Sequence, residues 1–179
     1  IDDTSYEGSL IRYKSFAGGV PLVGKAWGNP NFRFLDKYIS DKATEEHTLR
    51  FGSKKYLSPS FKTRMMERLL SARVSSDKSY RYSDLNFILL QQVIERVSGE
   101  PLDEFVTKYI YRPIQARLYF NPLERGIKIQ QIAPAQHDTF LRGEILRGTV
   151  DDEAAACLGG VSGNAGLFGA AEELAKVCQ

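Results

Sequence analysis

Apolar positions recur most clearly between Ser58 and Pro113, and there they follow a helical period. Phe61, Met65, Leu69 and Ala72 fall on one face, with Arg64, Glu67, Arg68 and Arg73 on the other. Ser58 can cap this helix and Pro59 fits its first position. A second helix is predicted from about Asp84 to Ser98. Leu85, Ile88, Leu89, Val93, Ile94 and Val97 give it a broad apolar stripe, and Gly99 supplies a left-handed stop. Pro101 opens a third helix carrying Leu102, Phe105, Val106, Tyr109 and Ile110, which ends before Pro113. The Gly99-Glu100 linker makes a tight helical corner.

Outside this core the pattern loosens. Residues 1–57 read as one irregular segment, with turn signals at Gly18-Gly19-Val20-Pro21 and Trp27-Gly28-Asn29-Pro30-Asn31 and one strand near Thr48 to Phe51. In residues 114–150, Leu118-Tyr119-Phe120 and Ile129 to Pro134 read as extended pieces. Residues 151–179 begin with a short helix, Asp151 to Leu158, with acidic residues at its positive end. A glycine-rich loop, Gly159 to Gly169, then feeds a final helix, Ala170 to Gln179, that stops in mid-pattern. The expected fold is a single domain, mainly α with irregular loops and at most a few short strands.

Composition narrows the function classes. The 179 residues are 42% hydrophobic and 26% charged, ordinary for a globular domain. Its 24 basic and 22 acidic residues are scattered, without a basic stripe interleaved with aromatics, so nucleic acid is not an expected partner. No apolar run approaches the ~20 residues of a membrane span. Cys157 and Cys178 are isolated and only His47 and His137 could join them, so neither a metal nor another cofactor is expected.

The strongest candidate chemistry is Tyr82-Ser83-Asp84, where a polar loop enters the second helix. A phenol, a hydroxyl and a carboxylate are held there at one rigid helix entrance; the plainer reading has the Tyr82 ring packing while Ser83 or Asp84 caps the helix. The alternatives are weaker. Ser75-Ser76-Asp77-Lys78 is a formal Ser-x-x-Lys, but it lies in a polar loop rather than at the buried helix start that desolvates a lysine. Gly160, Gly163, Gly166 and Gly169 fit neither a dinucleotide fingerprint nor a phosphate loop and are read as close-packing positions. Ser162 fails the nucleophile-elbow pattern because Asn164 replaces its second glycine. His47 lies in a charged Glu45-Glu46-His47 run, and His137 has only a sequence neighbour, Asp138. Asp151, Asp152 and Glu153 are adjacent, so they cannot straddle a sugar at the roughly 5–9.5 Å that glycoside hydrolysis needs.

Tyr82-Ser83-Asp84-Leu85-Asn86-Phe87 with Val97-Ser98-Gly99-Glu100-Pro101-Leu102-Asp103 resembles the middle of the serine beta-lactamase and penicillin-binding-protein-like esterase superfamily. The likeness continues through Tyr111-Arg112-Pro113-Ile114, Asn121-Pro122-Leu123, Ile132-Ala133-Pro134, Arg142-Gly143, Gly159 to Phe168 and Glu173-Leu174-Ala175-Lys176. It covers residues 80–179 well and 1–79 loosely, and is nearest to the module fused behind bacterial family 3 glycoside hydrolases (beta-N-acetylhexosaminidases).

The resemblance implies that Tyr82 is the proton-transfer tyrosine of a Tyr-x-Asn motif, with Ser83 and Asp84 at the substrate. Asp84 stands where the motif has an amide, and so lacks an NH2 donor. Related sequences often carry histidine where this chain has Asp151 and Asn164. The resemblance further implies that the chain is the helical subdomain of an α/β fold. The acylated serine and the third motif then belong to an α/β portion of the same polypeptide outside these residues, and the chain alone is inactive. A periplasmic or secreted location follows, as do a fused glycosidase and an exposed apolar face that packs on the missing portion or pairs in a homodimer. Two rival expectations are a degenerate, non-catalytic binding or stabilising module and an unrelated helical interaction domain.

Overall fold

The structure, a computed structural model, describes residues 35–72, 74, 76, 77, 79–139 and 141–179 in full, with the backbone of short strands between residues 6 and 34. Ser75 and Lys78, the formal Ser-x-x-Lys pair, lie outside the described residues, as does Arg73.

The first third holds more strand than its sequence suggests. Strands β1 (Tyr6–Glu7) and β5 (Arg33–Phe34) pair antiparallel, and β2 (Leu10–Arg12), β3 (Val20–Pro21) and β4 (Ala26–Gly28) form a sheet in the order β2-β4-β3. A further sheet, β6-β8-β7, joins β6 (Ile39–Ser40), β7 (Leu49–Arg50) and β8 (Tyr56–Leu57), with Ile39 and Leu49 both opposite Leu57. Segments of two or three residues are too short to display a period of two, which is why only the strand around Leu49 was legible.

Helix α1 (Pro59–Leu70) begins as its sequence dictates: Pro59 opens it and the Ser58 hydroxyl accepts a hydrogen bond from Ser60 N–H at 3.3 Å. Helix α2 (Leu85–Ser98) stops at Gly99, whose φ of +74° is the left-handed conformation that glycine adopts without strain. Helix α3 (Leu102–Val106) continues as a wider π-turn through Tyr111. Asp152 caps α4 (Glu153–Cys157) by accepting from Ala155 N–H at 2.7 Å. Helix α5 (Ala171–Ala175) is shorter than expected, ending at Ala175 rather than running to Gln179. The piece from Ile129, expected to be extended, is instead a 3-10 turn over Ile129–Gln131, closed by Lys128 N–H donating to the Gln131 side chain at 3.2 Å.

The main core joins the β6-β8-β7 sheet to α4: Ile39, Phe51, Leu57, Val150, Ala155 and Ala156 are buried together, with Phe61 of α1 and Ala165 of the glycine-rich loop against them. Cys157 packs on the same core, and burial pushes its thiol up to about 12, whereas Cys178 is exposed. Two further strands, β9 (Tyr119–Phe120) and β12 (Leu167–Phe168), pair antiparallel and bring the end of the glycine-rich loop beside the segment that follows α3.

Behind that ribbon sits a buried carboxylate. Glu173 accepts from Lys176 Nζ at 2.8 Å, from Arg117 N–H at 2.9 Å and from Arg117 Nε at 2.8 Å, with its own side chain 4% exposed. These bonds, that of Lys176 foremost, lower its carboxyl from 4.5 to about 2. Because the folded value lies below the unfolded one, the group stabilises the fold fully above pH 4.5 and loses that contribution as pH falls from 4.5 through 2. Glu173→Gln is expected to flatten the fall of Tm across that window, leaving the protein less stable than wild type at neutral pH. An unchanged acid slope in a melting series would refute this.

Candidate functional site

Tyr82, Ser83 and Asp84 stand at the entrance of α2. The loop that delivers them is turned by Asp77, which accepts from Ser79 N–H at 2.9 Å and Ser79 Oγ at 2.8 Å; these bonds, the backbone one first, hold the Asp77 carboxyl below its ordinary value. The Tyr82 side chain is 77% exposed, while Ser83 and Asp84 are half-buried. Asp84 occupies the cap position of α2, but its side chain makes no capping bond, contrary to the plainer expectation. Its backbone is already helical (φ −65°, ψ −27°), so it is the Asp84 carbonyl that accepts, from Phe87 N–H at 3.0 Å and Ile88 N–H at 3.1 Å. Among the described residues no hydrogen bond engages the Tyr82 phenol, the Ser83 hydroxyl or the Asp84 carboxylate.

The apolar stripe of α2 beside this entrance lies mostly on the surface. Of its apolar stripe only Ile88 is buried, and the other buried side chain is Gln91. Leu85, Leu89, Leu90, Val93 and Val97 are exposed, Val97 by 83%. Contiguous exposed apolar surface of this kind marks interaction sites in proteins generally.

Against the inner side of α2 lies the glycine-rich loop. Gly160 (φ +82°) and Gly166 (φ +111°) need their conformational freedom, and a side chain at Gly163 would collide with the Phe87 carbonyl. Ser162 is buried, its hydroxyl donating to Asn164 Oδ1 at 2.6 Å, and Asn164 Nδ2 donates to Asp152 Oδ1 at 3.2 Å. Ser162 is therefore a packing residue here. Asn164 and Asp152 thus meet at the head of α4, and Asp151 is exposed.

The two histidines lie in different surroundings. His47 is buried rather than solvated with its glutamate neighbours: Nε2 lies 3.0 Å from the Asp36 carbonyl and Nδ1 2.9 Å from Thr44 Oγ1. The carbonyl needs a donor, so Nε2 carries the proton and Thr44 donates to Nδ1. His137 is exposed and Asp138 buried, on opposite sides of strand β10 (His137–Asp138), which pairs with β11 (Glu144–Ile145). Asp138 is held by Arg142, a residue noted in the sequence only as part of a shared motif. Arg142 Nε donates to Asp138 Oδ2 at 2.6 Å, Nη1 to the Val150 carbonyl at 2.8 Å and Nη2 to the Asp151 carbonyl at 2.7 Å.

A cleft of about 560 Å³ lies elsewhere, between the β9-β12 ribbon and the 3-10 turn, with Arg117, Tyr119, Ile132, Leu167, Phe168 and Glu173 among its walls. Tyr82, Ser83 and Asp84 do not line it. Among the described residues no group of three or more His, Cys, Asp or Glu side chains could hold a metal ion, and no helix is long and apolar enough to cross a membrane.

The sequence is similar to known proteins. A protein of Escherichia coli K12 named "Putative D-alanyl-D-alanine carboxypeptidase" is 41% identical over 110 residues, covering 55% of this chain and 25% of its own length. The N-acetylmuramyl-L-alanine amidase of Bacillus subtilis 168 is 34% identical over 110 residues, with the same coverage of 55% and 25%. The chain thus spans about a quarter of the length of these relatives. No solved structure matches it. The sequence profile of the family described as Beta-lactamase matches residues 28–179, a span that includes the Tyr82 entrance, α2 and the whole glycine-rich loop, and the chain therefore belongs to the Beta-lactamase family.

Proposed function

We propose that these residues are the mainly helical part of a serine acyl hydrolase module of beta-lactamase type, and that Tyr82 is its proton-transfer residue. The observation that carries the reading is the placement of Tyr82: its phenol is exposed and unbonded among the described residues, at a rigid helix entrance, inside the stretch that matches the family. Acyl transfer needs a nucleophilic serine with a base to take its proton and an acid to return one to the leaving group. In this reading Tyr82 serves the proton and Ser83 and Asp84 meet the substrate. The serine is supplied by an α/β portion of the intact protein beyond the quarter that aligns with the relatives. That portion covers the outward stripe of α2, Leu85, Leu89, Leu90, Val93 and Val97, so 1–179 alone turns nothing over. The names of the two relatives point to peptidoglycan stems as the substrate class, with action outside the cytoplasm; a fused glycosidase rests on the sequence resemblance alone.

Asp84 favours one other reading, a degenerate module that binds without reacting. An ionised carboxylate only accepts hydrogen bonds, so it cannot donate to a substrate carbonyl as an amide does. Labelling separates the two. The intact protein, treated with a fluorescent beta-lactam and separately with a p-nitrophenyl ester, is expected to gain one acyl group by mass. A folded intact protein that takes neither label overturns catalysis and leaves the binding module.

A further inference from the structure

Helix α2 buries two side chains, and one of them is a primary amide. Gln91 is 3% exposed, and its Oε1 accepts from Gly163 N–H at 3.1 Å across 72 positions of sequence. Its Nε2 donates to the Val161 carbonyl at 3.3 Å and to Glu95 Oε1 at 2.9 Å. Glu95 Oε1 in turn accepts from Leu102 N–H, the first amide of α3, at 3.1 Å. An amide alone among side chains of this length offers a donor and an acceptor together, which is what a loop presenting one C=O and one N–H requires.

The contact is tight as well as polar. Gly163 lies so close to the Phe87 carbonyl that no side chain fits, and Phe87 belongs to the turn closed on the Asp84 carbonyl. Elsewhere the loop is tied by Asn121 Nδ2 donating to the Gly159 carbonyl at 2.9 Å and by the Asn164 bond to Asp152. Gln91 holds its middle.

We propose that Gln91 is a positioning residue that latches the glycine-rich loop to the Tyr82 helix, making loop and helix entrance two walls of one pocket. This rests on the acyl-hydrolase reading above. Gln91→Met keeps the length and removes both hydrogen-bonding atoms. The paired exchange Gln91→Glu with Glu95→Gln restores an acceptor for Gly163 N–H and a donor between the two side chains.

Amide hydrogen exchange on the 179-residue chain tests the latch. Exchange at Gly163 is expected to speed up about tenfold in Gln91→Met, the loss of one net hydrogen bond, with the α2 amides unchanged, and to return in the paired variant. Unchanged Gly163 exchange, acceleration shared equally by α2, or no recovery in the paired variant with α2 intact would each overturn the latch. In the intact protein Gln91→Met is expected to raise KM for a p-nitrophenyl ester about tenfold with little change in kcat. A variant with both parameters unchanged overturns the pocket-wall role. If the intact protein shows no acylation at all, the acyl-hydrolase reading fails instead, and the Gly163 arm still reports on the latch.

Discussion

Replacing Arg142 with methionine is expected to cost about 3–5 kcal/mol of folding stability, the range for breaking a buried ion pair from one side. The Arg142 side chain is fully buried and that of Asp138 is 6% exposed. The guanidinium spends its donors on the Asp138 carboxylate and on the Val150 and Asp151 carbonyls, and its carbon lies 5.4 Å from the Phe51 ring centre. Methionine fills part of the volume but takes the Arg142 charge and hydrogen bond from a buried carboxylate and two donors from the Val150 and Asp151 carbonyls. Because those carbonyls lead directly into Asp152 and α4, the damage should reach the Asn164 tie of the glycine-rich loop. Arg142→Met combined with Asp138→Leu removes both charges and is expected to recover much of the loss. Urea unfolding followed by circular dichroism reads both; a single-variant loss below about 1 kcal/mol would show that the knot contributes little.

The parts of this fold that were legible in the sequence are those set by neighbours in the chain. Ser58-Pro59, Gly99, Asp152 and the crowded glycines act within a few residues, and each does in the structure what its local chemistry requires. What could not be read depends on distant partners. The apolar stripe of α2 gave the correct helix but could not show that it buries Gln91, whose partners Val161 and Gly163 lie 70 and 72 positions away. Arg142 and Asp138 have a helix-like spacing of four, yet Asp138 is on β10 and Arg142 in the turn that leads to β11. His47 sits among glutamates in sequence and under the Asp36 carbonyl in space. For the candidate site, Tyr82-Ser83-Asp84 was legible as a segment, while its relation to the glycine-rich loop was not.

Tyr82→Phe carries the largest expected effect on activity. It deletes one oxygen and leaves the ring, so a general acid–base role predicts a loss of about 100-fold or more in acylation of the intact protein. Stability should stay within about 0.5 kcal/mol of wild type, since the side chain is 77% exposed and its hydroxyl engages no described residue. The Arg142 variant should behave oppositely, with a large stability loss. That contrast separates a group that acts on substrate from one that holds the fold.

The direct measurement is single-turnover acylation of the intact protein by a p-nitrophenyl ester, following p-nitrophenolate release and the mass of the acyl adduct for wild type and Tyr82→Phe. The account predicts one adduct per wild-type molecule, on a serine outside residues 1–179, and adduct formation slowed about 100-fold or more by removal of the phenol oxygen. Equal rates in the two proteins, with the adduct formed in both, would contradict it.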